Sequence, residues 1–328
     1  MVADDLDSPQ MAADRARKRP RVPAEPLDRL VELAQQRRTA GALMVGVAAI
    51  GGLLGLQTLA FHLTSDPLAD VRAYYDAGTR LNAGTPLYPV AADPDAPEFY
   101  RYPPLLAIAF RPLALLPYST AAGIWELLVV VALAATLWRL GARRPTTWIA
   151  VAILARPIAW TVAIGQAQAV VTLLLALGSP LTVALATHLK LFPALAALWW
   201  MGRGDWRSVR RFAGWSLALG LVQVILAPTA TFDFVRTLGF SQVGDVVNIS
   251  PYALSPILWV VLLVVVAGAA LGLARTSWGW TLAVVVSVVA SPRLLTYMLS
   301  SLLAALRTPQ PLDDRHEGDS EGGPGAAP

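Results

Sequence analysis

The chain of 328 residues contains no cysteine, so disulfides, thiolate nucleophiles and cysteine metal sites are all excluded. Histidine is nearly as scarce. His62, His188 and His316 lie far apart, with no spacing that suits a metal ion. Charge is sparse too: only 15% of residues are Asp, Glu, Lys or Arg, against about 25% in a soluble domain. A soluble globular protein is therefore disfavoured, and so is general disorder, which needs low hydrophobicity. Lysine is almost missing. Of 26 basic residues only Lys18 and Lys190 are lysine, and Lys190 stands inside an apolar stretch.

Hydrophobic residues make up 55% of the chain, and the mean hydropathy is +0.53. The apolar runs recur from about residue 40 to residue 306 and are solid rather than alternating, as in VVVALAATLW and ILWVVLLVVVAGAALGLA. Alternation would mark a membrane β-barrel; solid runs predict helices. The fold class expected is an all-α polytopic membrane protein. The net charge of +4 and pI near 9.6 then reflect basic cytoplasmic loops, not a nucleic-acid partner.

Residues 1–39 read as a basic tail, with RARKRPR at 15–21 and Arg37-Arg38 before the first apolar run. Eight basic residues there predict a cytoplasmic N-terminus and an uncleaved first helix in the plasma membrane. The domain proper is expected at 40–307, with a disordered acidic cytoplasmic tail at 308–328. Residues 64–103 form a polar outer loop with a net charge of −3. Within it, 70–83 reads as a short helix ending at Gly84, and 85–104 as a Pro- and Asp-rich loop. Long loops of this kind tend to carry function.

Further apolar segments lie at about 104–117, 119–138, 148–164, 166–178, 180–201, 212–228, 252–274, 277–291 and 293–307. The segments at 104–117 and 166–178 are short. If both span, ten helices result; if both are re-entrant, eight.

Ionisable residues in these segments are functional candidates by default. They are Arg111, Glu126, Arg156, His188, Lys190 and Arg293. Glu126 is placed to pair with Arg111 or Arg156. Pro193 is expected to open the helix near Lys190, leaving that cation suited to an anionic phosphate. Asp70 falls just past the first helix, at the membrane boundary, where a partly desolvated carboxylate beside a cation can act as a general base. No phosphate-binding glycine loop, Ser-His-Asp set or HExxH motif is found.

The run DVRAYYDAGTRLNAGTPLYP from Asp70, followed by FYRYPPLLAIAFRPLALLP, resembles glycosyltransferase family 87. These are polyprenyl-phosphate-mannose-dependent mannosyltransferases of actinobacterial membranes, in the C-type superfamily. IGQAQAVVTLLLAL resembles the family's GQ helix start, LATHLKLFPALAALWWMGRGDWRSVRR its K-x-x-P helix and basic turn, and VVASPRLLTYMLSSLLAAL its SP block. The likeness covers roughly residues 45–306. It departs where the family often has Asn after the GQ pair, here Ala167-Gln168, and where the SP block often has His, here Arg293. The chain is also short for the family, so a final helix or two is expected to be absent.

The resemblance implies a C-type glycosyltransferase-like bundle of 8–10 transmembrane helices with short juxtamembrane helices in the first outer loop. It implies transfer of a mannosyl group, or another hexosyl, from a polyprenyl-phosphate sugar to a cell-envelope glycolipid or glycan on the outer face, with inversion. Asp70 would be the base. Lys190, Arg293 and Arg156 would hold the donor phosphate. Tyr74, Tyr75, Tyr88, Tyr102, Gln166, His188 and Asn248 would contact sugar or acceptor. Membrane lipids are the surroundings, and no cofactor, metal or nucleic acid is expected. The competing expectations are a transporter or flippase, or a non-catalytic member of the fold.

Overall fold

The computed structural model describes residues 38–88, 100–237 and 248–307, and all regular structure among these is helical. Residues 89–99 of the loop expected at 85–104, residues 1–37 of the N-terminal tail and the whole 308–328 tail lie outside the described residues. Among the described residues, three helices are long and apolar enough to cross a membrane: α1 (Arg38–Ser65), α4 (Tyr118–Leu140) and α10 (Trp206–Leu226). At about 1.5 Å per residue each exceeds the roughly 30 Å of a hydrocarbon core. A fourth crossing is made if α5 (Pro145–Ile153) and α6 (Ala155–Ala163) count as one span, bent by 68°. Pro157 explains the bend, since it has no N–H to give the carbonyl of Ile153.

The remaining elements are short. The helix α2 (Ala69–Ala83), which follows α1, is closed by Gly84 in the left-handed region, φ 68°. The 104–117 segment does not cross: α3 (Pro104–Phe110) is one of 7 residues, and Pro112 and a 3-10 turn over Leu113–Leu115 follow. The 166–178 segment is the ten-residue α7 (Gln168–Leu177), about 15 Å long and also too short to cross alone. The 180–201 segment is broken. Its α8 (Pro180–Leu189) ends at Lys190, which is extended with φ −148° and ψ 119°. A 3-10 turn over Phe192–Ala197 then leads into α9 (Leu198–Arg203). Pro193 lacks the amide that would have bonded residue 189, as the sequence implied.

After α10 come α11 (Pro228–Thr237), α12 (Pro251–Leu254), α13 (Pro256–Gly272) and α14 (Gly279–Val289). Prolines at 251 and 256 start two of them and divide the 252–274 run at Ser255. The last segment, Thr296–Leu306, is wound as an unusually long 3-10 helix.

Glycines allow the closest contacts. Gly51 and Gly55, one turn apart on α1, lie against the backbone of Ala152 and Ala155, and a methyl group on Gly51 would collide with the Ala152 carbonyl. Small residues at i and i+4 let membrane helices approach in this way. Elsewhere α1, α4 and α13 present exposed Leu43, Leu53, Leu127, Val131, Ile257 and Val264, a surface suited to lipid.

The bundle has two chemically distinct ends. At one, Arg307 lies over the rings of Trp280 and Trp199, 4.6 and 5.6 Å from their centroids, with Arg203 also over Trp199. Arg139 is close enough to act on Arg307 electrostatically, and Arg307 packs on Gly178 past the end of α7. The start of α7 lies at the opposite end, beside α2.

Gly165 holds that second end together. It adopts φ 66°, and its carbonyl accepts the Trp125 indole N–H at 2.7 Å. A methyl group there would strike the buried Val71 side chain. We expect Gly165→Ala to lower the melting temperature in detergent, by the equivalent of about 2 kcal/mol, and to reduce activity by displacing Gln166. An unchanged thermal transition would refute this.

Candidate active site

The site is assembled by the first turn of α2, the Tyr100–Pro103 stretch before α3, the Gly165–Gln168 turn before α7, and the break after α8. Tyr74 and Asp70 are four residues apart on α2 and so lie on one face. The Tyr74 hydroxyl donates to Gln166 Oε1 at 2.7 Å and accepts from the Ala167 amide at 3.2 Å. Gln166 Nε2 donates to the Tyr102 hydroxyl at 2.9 Å, and that hydroxyl lies 3.3 Å from Asp70 Oδ1. Tyr74, Tyr102 and Gln166 are buried, and Asp70 is partly buried.

Burial raises the Asp70 pKa from 3.8 to about 6. The charges of Lys190 and Arg101, and hydrogen bonds from Tyr102 and Gln166, act the other way and favour the ionised form. Burial, and next the Asp70 charge, push the Tyr102 phenol well above its ordinary value. Tyr102 therefore stays protonated and donates to the carboxylate.

Lys190 Nζ approaches from the broken end of α8. It lies 5.1 Å from the Tyr102 ring centroid and 4.8 Å from that of Tyr297. It is buried and has no hydrogen-bond partner among the described residues. A buried ammonium without an acceptor is costly, so this position is suited to an incoming anion. Lys190 lines a cavity of about 360 Å³ together with Arg101, Arg293, Tyr102, Tyr297 and Tyr88. Its other walls are largely apolar, among them Val171, Leu175, Leu191, Phe192 and Met298. Three cations and several rings around an apolar space can hold an anionic headgroup and its hydrocarbon tail.

Several candidates from the sequence are thus brought together: Asp70, Tyr74, Tyr102, Gln166 and Lys190 directly, with Arg293 and Tyr88 around the cavity. Tyr88 also donates to the Tyr102 carbonyl at 2.6 Å. Other candidates are placed elsewhere. Arg156 is exposed on α6 and lines no part of this cavity. Tyr75 donates to the Leu116 carbonyl at 2.8 Å and packs edge-on to Tyr118. His188 bonds α10 through the Ser216 carbonyl at 2.9 Å and Gln223 Nε2 at 2.6 Å, and Gln223 in turn accepts the Leu105 amide. Asn248 accepts the amides of Ser250 and Leu294 and donates to the Pro292 carbonyl, so it braces the backbone on both sides of Arg293. Glu126 forms no salt bridge with Arg111 or Arg156. Its Oε2 is buried beside Gly165 without a hydrogen-bond partner among the described residues, and Arg111 Nε bonds Asn82 instead.

Sequence reasoning passed over Arg101 and Tyr297. Arg101 had one signal, its position between two tyrosines in FYRYPP. Tyr297 had none, because its approach depends on the 3-10 winding of the last segment.

An all-helical membrane protein with a buried carboxylate network beside a cavity lined by cations and apolar side chains is the class these features define. The family model described as Glycosyltransferase family 87 matches residues 99–309, and the chain belongs to that family. Two curated relatives carry the name polyprenol-phosphate-mannose-dependent alpha-(1-2)-phosphatidylinositol pentamannoside mannosyltransferase. The one from Mycolicibacterium smegmatis is 32% identical over 190 residues, covering 52% of this chain and 46% of the relative. The one from Mycobacterium tuberculosis is 28% identical over 243 residues, covering 67% and 54%. The chain thus spans about half the length of the curated relatives it matches. No solved structure matches it.

Proposed function

We propose that the chain transfers a mannosyl group from a polyprenyl-phosphate donor to a hydroxyl of a cell-envelope glycolipid. The observation that carries this reading is Asp70 close enough to Lys190 for their charges to act on each other, with that buried ammonium lacking a hydrogen-bond partner among the described residues of a family 87 chain. Asp70 takes the proton of the acceptor hydroxyl, and the freed oxygen attacks the anomeric carbon. The bond from that carbon to the phosphate oxygen breaks, and the configuration inverts. Polyprenyl phosphate leaves with the electron pair, and Lys190, Arg101 and Arg293 stabilise the charge that develops on it. The names of the relatives favour a mannose-bearing phosphatidylinositol glycolipid as acceptor and an α-linked product.

The gathering of Arg139, Arg203 and Arg307 at the end of the bundle away from Asp70 favours that end being cytoplasmic. In this reading the protein lies in the plasma membrane, the N-terminus is cytoplasmic, and the site opens outward, where lipid-linked rather than nucleotide sugars are used. The transfer runs without a metal.

The test uses membranes from expressing cells, supplied with radiolabelled polyprenyl-phosphate mannose. Label should appear in extracted glycolipid and survive addition of EDTA. Absence of transfer with mannosyl, glucosyl and arabinosyl lipid donors alike would reject the proposal.

A further inference from the structure

We infer that Gln168 forms the contact that reads the donor's sugar, an assignment that rests on the proposed donor class. Gln168 is the first residue of α7 and is 5% exposed. Its two amide ends have different fates. Nε2 donates to the Ser301 hydroxyl at 2.5 Å, whereas Oε1 is buried with no hydrogen-bond partner among the described residues. The surrounding hydroxyls cannot serve it. Ser301 is engaged by Gln168 Nε2 and by Thr172 at 2.9 Å, and Thr172 lies 2.7 Å from the Gln168 carbonyl. Ser287 bonds its own helix at the Ala283 carbonyl.

A buried carbonyl oxygen without a donor is costly and rare in folded proteins. Gln168 and Ser301 both line the cavity together with Lys190, so the deficit lies in its wall. The cavity thus has an ammonium in want of an acceptor and an amide oxygen in want of a donor. A phosphate fully ionised or esterified satisfies the first alone, and a prenyl chain satisfies neither. A sugar phosphate satisfies both, its phosphate oxygens meeting Lys190 and one of its hydroxyls donating to Gln168 Oε1. The hexose is accordingly placed in the cavity between α7 and the 296–306 segment. Gln168 is then a specificity-determining residue, since a site built to bond a hydroxyl rejects a ligand that lacks it.

The experiment measures equilibrium binding to the purified full chain in detergent, with two short-chain ligands: prenyl phosphate and prenyl-phosphate mannose. Gln168→Met keeps the length of the side chain and removes the amide. It should weaken the mannosylated ligand about tenfold and leave the sugar-free ligand within a factor of two. The sugar-free ligand also reports that the variant is folded. If Gln168→Met binds neither, Gln168→Asn, which retains an amide but withdraws it from the cavity, should show the same selective loss. Equal weakening of both ligands in both variants, or no weakening of either, would overturn the assignment. Failure of the wild type to bind either ligand would instead overturn the donor class, and this assignment with it.

Discussion

Asp70→Asn should lower mannosyl transfer by about 10³-fold, within the range that a positioned general base contributes. Asparagine is nearly isosteric and can still meet the Tyr102 hydroxyl, so expression and donor binding should be close to wild type. The pH profile gives a second reading of the same group. Burial lifts Asp70 to about 6, against the pull of Lys190 and Arg101. Only the ionised carboxylate can accept a proton. The rate should therefore climb about tenfold per unit below pH 6 and, because burial lowers Lys190 to about 7, fall again where that ammonium loses its charge. Tyr102→Phe removes a hydrogen bond that favours the ionised form, so it should move the midpoint upward. A flat profile between pH 5 and 7, or transfer by Asp70→Asn within tenfold of wild type, would remove Asp70 from the chemistry. Retained transfer would also be the outcome expected if another carboxylate served as base.

Lys190→Met is the second large effect. Lys190 Nζ lies near the Tyr102 and Tyr297 rings and has no hydrogen-bond partner among the described residues. If it neutralises the departing phosphate, its loss should reduce transfer by about 10² to 10³-fold. The same change removes a buried ammonium that has no hydrogen-bond partner among the described residues, and Asp70, which burial already lifts to about 6, can take up a proton once that cation is gone, so no unpaired charge is left behind. The melting temperature of Lys190→Met should thus stay level or rise while activity falls, the trade that functional sites often impose. A marked drop in melting temperature would mean that Lys190 supports the fold, and the activity loss would then carry no mechanistic weight. Measuring both quantities on one preparation decides between these readings.

Much of this site was legible along the chain where the signal was local. Gly84 closes α2, Pro193 opens the chain near Lys190, and both follow from the backbone preferences of single residues. Asp70 stood out because a carboxylate at a helix boundary needs a reason. Arg156 and Arg101 show where such reading fails. Arg156, in an apolar run before a proline, drew attention as a buried cation, yet the bend at Leu154 leaves it exposed. Arg101 sat among loop charges and counted only toward a balance, yet the fold carries it to the cavity. Gln168 is harder still. Its unbonded oxygen exists only because Ser301, far along the chain, takes the other end of the amide. Helix count suffered in the same way. The apolar run at 180–201 has the length of one span, but it folds as α8, an extended residue and a second short arm.

Gln166 has a consequence that reaches beyond catalysis. Its amide is shared by the Tyr74 and Tyr102 hydroxyls, and through Tyr102 it steadies Asp70. Residues bound into one network do not change additively. As sequences drift apart, these four positions are therefore expected to be inherited as a block. A descendant that loses one partner gains little by retaining the others, because the geometry they maintain has already gone. Decay of the activity in a lineage would then begin with any one of four substitutions and soon spread to the rest, leaving the apolar walls of the bundle untouched.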